Sequence, residues 1–95
     1  LANIIAVLAQ KNLNARLAIN LLILENRFQK FNDIGGIDLT REDLANMIGT
    51  SPESLGRSLK HLKEQGIIEI EKRIIYIKNK NKILELLNIE NDLTT

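Results

Sequence analysis

A mainly α domain with one small β-hairpin is what this sequence predicts, on three observations. Leu13, Leu17, Leu21 and Leu24 recur at helical spacing in a long apolar-rich segment. A helix-stop signal at Gly49 is followed at once by a helix-start signal at Ser51 and Pro52. The stretch "IIEIEKRIIYIKN" (67–79) then alternates like two short strands around a polar turn.

Each element has its own justification. Leu1 to Lys11 reads as the end of a helix, with Ile4, Ile5 and Leu8 apolar at helical spacing. Asn12 is the expected N-cap of a second helix that runs to about Lys30. There Ala18, Ile19, Leu22 and Ile23 widen the leucine stripe, so most of that helix is expected to be buried. "NDIGG" breaks the pattern, and "GIDL" follows as a brief strand with Ile37 and Leu39 facing inward. Thr40 starts the next helix, with Asp43 three residues on in an acidic capping box, and Leu44, Met47 and Ile48 as its apolar stripe. After Gly49, Ser51 caps a helix with Pro52 at its first position, a stripe of Leu55, Leu59 and Leu62, and Gly66 as its stop. Strands are expected at Ile67 to Ile70 and Ile74 to Ile77 around a turn at Glu71 to Arg73, then a short helix at about Lys80 to Leu87. That order is a winged helix-turn-helix: mainly α, with a small β-hairpin wing.

The chain's totals bound what this domain can do. Ninety-five residues make one domain, and a chain this size buries only about 60–65% of its unfolded surface. Phe28, Phe31 and Tyr76 are all its aromatics, so the core is aliphatic. A net charge of +1 says little about partners, but Lys72, Arg73, Lys78, Lys80 and Lys82 form a basic tract without an acid among them. No cysteine is present, which removes disulfides and thiolate chemistry and is compatible with the cytoplasm. No apolar run reaches the ~20 residues that span a bilayer. The opening on Leu1 in mid-pattern reads as a C-terminal fragment of a longer chain, and the Ile, Asn and Lys usage reads as an AT-rich genome.

Function is expected to reside in the helix pair at 41–62. Ala45 is small where two crossing helices would come closest, and the short connection throws the second helix, about 52–65, across the first. Its N-terminal half then projects outward, as major-groove recognition requires. Glu53, Ser54, Arg57, Lys60 and His61 lie on the outward face. Arg57 can bind guanine O6 and N7 with two parallel bonds, and Glu53 can accept from cytosine N4 or hold the Arg57 guanidinium. Thr40, Ser51 and Ser54 are hydroxyls at helix starts and suit phosphates, with Lys60 and His61 nearby. Lys72 and Arg73 at the wing tip would neutralise phosphate without reading sequence. Gly56 leaves a bare position beside Arg57, for close approach of the duplex, for helix crossing, or simply as tolerated strain.

These segments resemble a known family. "ARLAINLLIL", "IDLTREDLANMIGTSPESLGRSLKHLKEQGII" and "IEKRIIYIKN" are similar to the C-terminal DNA-binding domain of the Crp/Fnr family of bacterial transcription regulators, over about Ile4 to Asn79. The resemblance implies a preceding jelly-roll sensor and a dimerisation helix. Residues 1–12 would then be the end of that helix and its hinge, 13–88 the DNA-binding domain, and 89–95 a frayed tail. It also implies a homodimer on a palindromic duplex site, contact with RNA polymerase, and Glu53 and Arg57 reading a G·C pair. An effector such as a cyclic nucleotide, an iron–sulfur cluster or haem would bind the sensor, and no cofactor, metal or catalytic residue is expected in these residues. Pro52 stands where several members place a base-reading Arg, which implies one altered base preference. Ser58 stands where a branched apolar residue is usual, which implies looser packing of this helix; on the residues alone it reads as sitting at the edge of the core.

Two other classes remain open on the residues themselves. A winged helix can dock on a protein instead of DNA, using Glu53, Glu64, Glu69 and Glu71. An enzyme would have to use His61 with Ser58 three residues earlier, a pair that lacks an orienting acid and oxyanion donors.

Overall fold

A computed structural model describes residues 2–31 and 35–86. Three helices, α1 (Ala2–Phe31), α2 (Arg41–Ile48) and α3 (Pro52–Glu64), precede two strands, β1 (Ile68–Glu71) and β2 (Ile74–Ile77). Residues 80–86 are again helical. The expected tail at 89–95 lies outside the described residues. The architecture is the winged helix-turn-helix that the pattern predicts.

Asn12 does not cap a second helix. Thirty residues without a Gly or Pro form α1 as one unbroken rod through that position. Asn is only a mediocre helix former, not a breaker, and Leu13, Ala15 and Leu17 beyond it are all buried, so packing decides. No described helix is long and apolar enough to cross a membrane.

Leu13, Leu17, Leu21 and Leu24 form the buried spine of α1 as predicted, and α2, α3 and β2 all pack on that helix. The stripe is narrower than its apolar residues indicated. Ile19 and Ile23 are 38% and 47% exposed, and Met47 on α2 is 52% exposed. A two-turn helix such as α2 can turn only one side to its neighbours, and Leu44, Ala45 and Ile48 take it. Ile37, Leu55, Leu59, Leu62, Ile67, Ile68, Ile75 and Ile83 complete an aliphatic core.

The hairpin pairs Ile68 with Ile77, Glu69 with Tyr76, Ile70 with Ile75 and Glu71 with Ile74. It starts one residue later than expected because Ile67 is claimed by helix termination. Its N–H donates to Leu62 O at 3.0 Å, and its carbonyl accepts from Lys78 and Asn79 at 2.8 and 3.2 Å. Ile37 bridges the other edge of β2 through two bonds with Ile75, at 2.8 and 3.0 Å. The brief strand therefore exists, as a single bridge.

Gly36, just before that bridge, is buried against the hairpin. A Cβ there would meet Ile74 Cγ2 at 2.5 Å and Tyr76 Cε1 at 2.8 Å. Gly36→Ala is expected to destabilise the domain by about 1–3 kcal/mol through overpacking, read as a lowered urea midpoint with an unchanged slope.

Candidate nucleic-acid interface

Local chemistry positions the helix pair. Thr40, with φ −67° and ψ 154°, accepts the Asp43 N–H on its Oγ1 at 3.1 Å and starts α2. Gly49 ends α2 in the left-handed region at φ 80°, where a side chain would be strained, and its N–H returns to Ala45 O at 2.9 Å. Thr50 donates to the same carbonyl at 3.0 Å. Ser51 then accepts the Ser54 N–H at 3.1 Å and starts α3, with Pro52 in its first turn. Two cations close the C-terminal ends, as the partial negative charge there favours. Arg16 of α1 donates to Ile48 O at 2.7 Å, and Lys82 donates to Gln65 O at 2.7 Å.

On α3 the buried side is Leu55, Ser58, Leu59 and Leu62. Glu53, Arg57 and Lys60 are exposed, while Ser54 and His61 are half-buried. Arg57 Nη2 donates to Ser54 Oγ at 3.0 Å. It is Ser54, one turn away, that steadies the guanidinium, and Glu53 makes no ion pair among the described residues. Gly56 meets nothing within 4 Å of where a Cβ would be. Helix crossing therefore does not require this glycine, and the surface beside Arg57 is open.

The two cap hydroxyls, Thr40 and Ser51, keep their O–H free to donate because capping uses only an oxygen lone pair, and Ser54 accepts from Arg57 in the same way. Their surroundings differ. Glu42 and Asp43 place two carboxylates in the first turn of α2 beside Thr40, which opposes phosphate there. At α3, Pro52 has no N–H, Ser54 N–H is held by Ser51, and Leu55 N–H is bonded to Ser51 O. Glu53 supplies the one free backbone donor of that turn.

The basic tract is not a uniform phosphate patch. Arg73 Nε bonds Asp38 Oδ1 at 2.6 Å, Lys78 pairs with Glu69 at 3.2 Å, and Lys80 pairs with Glu25 at 3.1 Å. Lys82 is held on Gln65 O, which leaves Lys72 as the tract's one unpartnered cation among the described residues. The Asp38 hydrogen bond, and then its charge, raise the proton affinity of Arg73, whereas burial lowers that of Arg41. Both stay cationic at any physiological pH. Arg41 Nη1 also donates to Arg73 O at 3.3 Å, tying the wing tip to the start of α2.

Lys72 itself has φ 60° at the first position of the two-residue turn. The positive φ is what a two-residue hairpin turn requires at its first position, and a non-glycine residue there carries backbone strain of order 1 kcal/mol. Asp38, Arg16 and Gly36 escaped the sequence reading, since their partners lie far along the chain.

Ser58 is not at the edge of the core but wholly inside it, with its hydroxyl donating to Asn14 Oδ1 on α1. That commits the Ser58 O–H to Asn14, whereas a catalytic pair would need it to donate to His61.

No curated protein and no solved structure matches the chain. A family profile does match, described as the Crp-like helix-turn-helix domain, and it spans residues 15–86. That span contains α1 from Ala15 onward, all of α2 and α3, and the complete hairpin, including the turn at Gly49, the caps at Thr40 and Ser51, and Lys72. With its fold and most of its length accounted for in this way, the chain belongs to the Crp-like helix-turn-helix family, the winged DNA-binding domain of Crp/Fnr-type transcription regulators.

Proposed function

We propose that the domain binds double-stranded DNA sequence-specifically, with α3 in the major groove, as the output domain of a bacterial, cytoplasmic Crp/Fnr-type regulator. Arg57 reads guanine, Glu53 reads or orients beside it, and Lys60, Ser51, Ser54 and Lys72 contact phosphates. Thr40, His61 and Arg73 make weaker phosphate contacts, because carboxylates, partial burial and Asp38 respectively compete for them. The observation that carries this reading is the open surface at Gly56 between the exposed Glu53, Arg57 and Lys60, on a helix rigidly capped and cored. On the same reading the full-length protein is a homodimer on a palindromic site, residues 1–12 belong to its dimerisation helix, and RNA polymerase is a partner. Its effector binds outside this chain.

Selection of the domain, fused to a neutral dimerising tag, from a random duplex library at moderate salt tests this. Enrichment of an inverted repeat with a G·C pair in each half-site is expected. No enrichment and no non-specific binding would reassign the exposed helix to protein docking.

Lys72 offers a sharper check, since two effects should move oppositely. Lys72→Gly is expected to raise stability by up to about 1 kcal/mol, by relieving the positive φ. It should also weaken binding to every duplex and reduce the salt slope by about 1. Thermal melting and fluorescence anisotropy across a salt series read the two separately.

A further inference from the structure

A hydrogen bond between two buried side chains joins α1 to α3 across 44 residues of sequence, from Ser58 Oγ to Asn14 Oδ1. Ser58 is 0% exposed and Asn14 5%. No buried side-chain nitrogen or oxygen among the described residues lacks a partner. The bond sits next to the reading face: Ser58 follows Arg57 directly and lies one turn beyond Ser54, which steadies Arg57.

The leucines of α3 cannot by themselves fix how the helix is rotated. Leu55, Leu59 and Leu62 are held by apolar burial, which is non-directional, so small rotations exchange one set of contacts for another. A hydrogen bond weakens steeply as its angle departs from linearity. The required tolerance is narrow. Side-chain ends stand about 5–6 Å from a helix axis, so a 10° rotation of α3 carries the Arg57 tip through roughly 1 Å. Recognition needs such groups held within about 0.5 Å.

We propose that Asn14 and Ser58 are positioning residues: their bond sets the rotation of α3 on α1 and so the aim of Arg57, making base discrimination depend on it separately from stability. The inference rests on the DNA-reading assignment of α3.

Replacing both partners by apolar groups separates the two roles. Removing one partner orphans a buried polar atom, whereas removing both can leave stability nearly unchanged. The test compares the 95-residue chain, Ser58→Ala, and the double variant Asn14→Leu/Ser58→Ala. Each is measured on the wild type's selected duplex and on one with its G·C pair exchanged, at a temperature where circular dichroism shows all forms folded. The expected result is a double variant that stays folded and binds non-specific DNA equally, but whose preference between the duplexes falls about tenfold, within the worth of one bidentate base contact. A folded double variant with wild-type preference would overturn the positioning role and leave the pair as packing alone. If the double variant does not fold, Ser58→Ala decides: a folded variant with unchanged preference overturns the inference, and one with reduced preference upholds it. A wild type without any preferred duplex would instead defeat the DNA-reading assignment, and the inference with it.

Discussion

Leu17→Ala is expected to cost about 2–5 kcal/mol, the range for truncating a fully buried leucine whose surroundings collapse only partly. Leu17 is 0% exposed on the helix against which α2, α3 and β2 all pack. A domain of this size holds about 5–15 kcal/mol of stability in total, so this one change removes a large share of it. The matched control is Ile23→Ala, on the same helix but 47% exposed, where the loss should stay below about 1 kcal/mol. Urea denaturation of both variants reads the difference directly. Equal losses at the two positions would mean that the exposed side of α1 is covered in solution.

That contrast also marks how far the chain could be read without coordinates. Caps and stops act within a few residues, so Thr40, Gly49, Ser51 and Pro52 announced α2 and α3 almost to the residue. The hairpin was legible because alternation and a polar turn are equally local. Burial is not local. Ile19, Ile23 and Met47 fit the apolar periodicity, yet whether a neighbour exists to cover them depends on helices brought together by the fold. The same limit explains Ser58, which looked like a defect in the leucine stripe because its partner Asn14 stands 44 positions away. The basic tract failed similarly: five cations run together in sequence, but Asp38, Glu69, Glu25 and a helix-end carbonyl hold four of them. At the candidate interface, then, the exposure of Arg57 and Glu53 on α3 was legible and the fate of each surrounding charge was not.

Arg57→Ala is expected to weaken binding to the preferred duplex by about 1–3 kcal/mol and to abolish preference at one G·C pair. The free-state geometry adds little cost to this contact. Arg57 is exposed and held by a single hydrogen bond to Ser54, which is exchangeable for guanine acceptors at small net energy. Arg57→Lys makes the stronger argument, because it keeps the charge and loses only the planar fork that bonds O6 and N7 together. Its salt slope should match wild type while the base preference falls nearly as far as in Arg57→Ala. Competition anisotropy against duplexes that differ at that one pair measures both quantities at once. Should Arg57→Ala discriminate as well as wild type, the arginine acts as a phosphate cation and the reading of the G·C pair passes to Glu53. Glu53→Ala would then be the variant whose preference collapses, because it removes the carboxylate that accepts from cytosine N4.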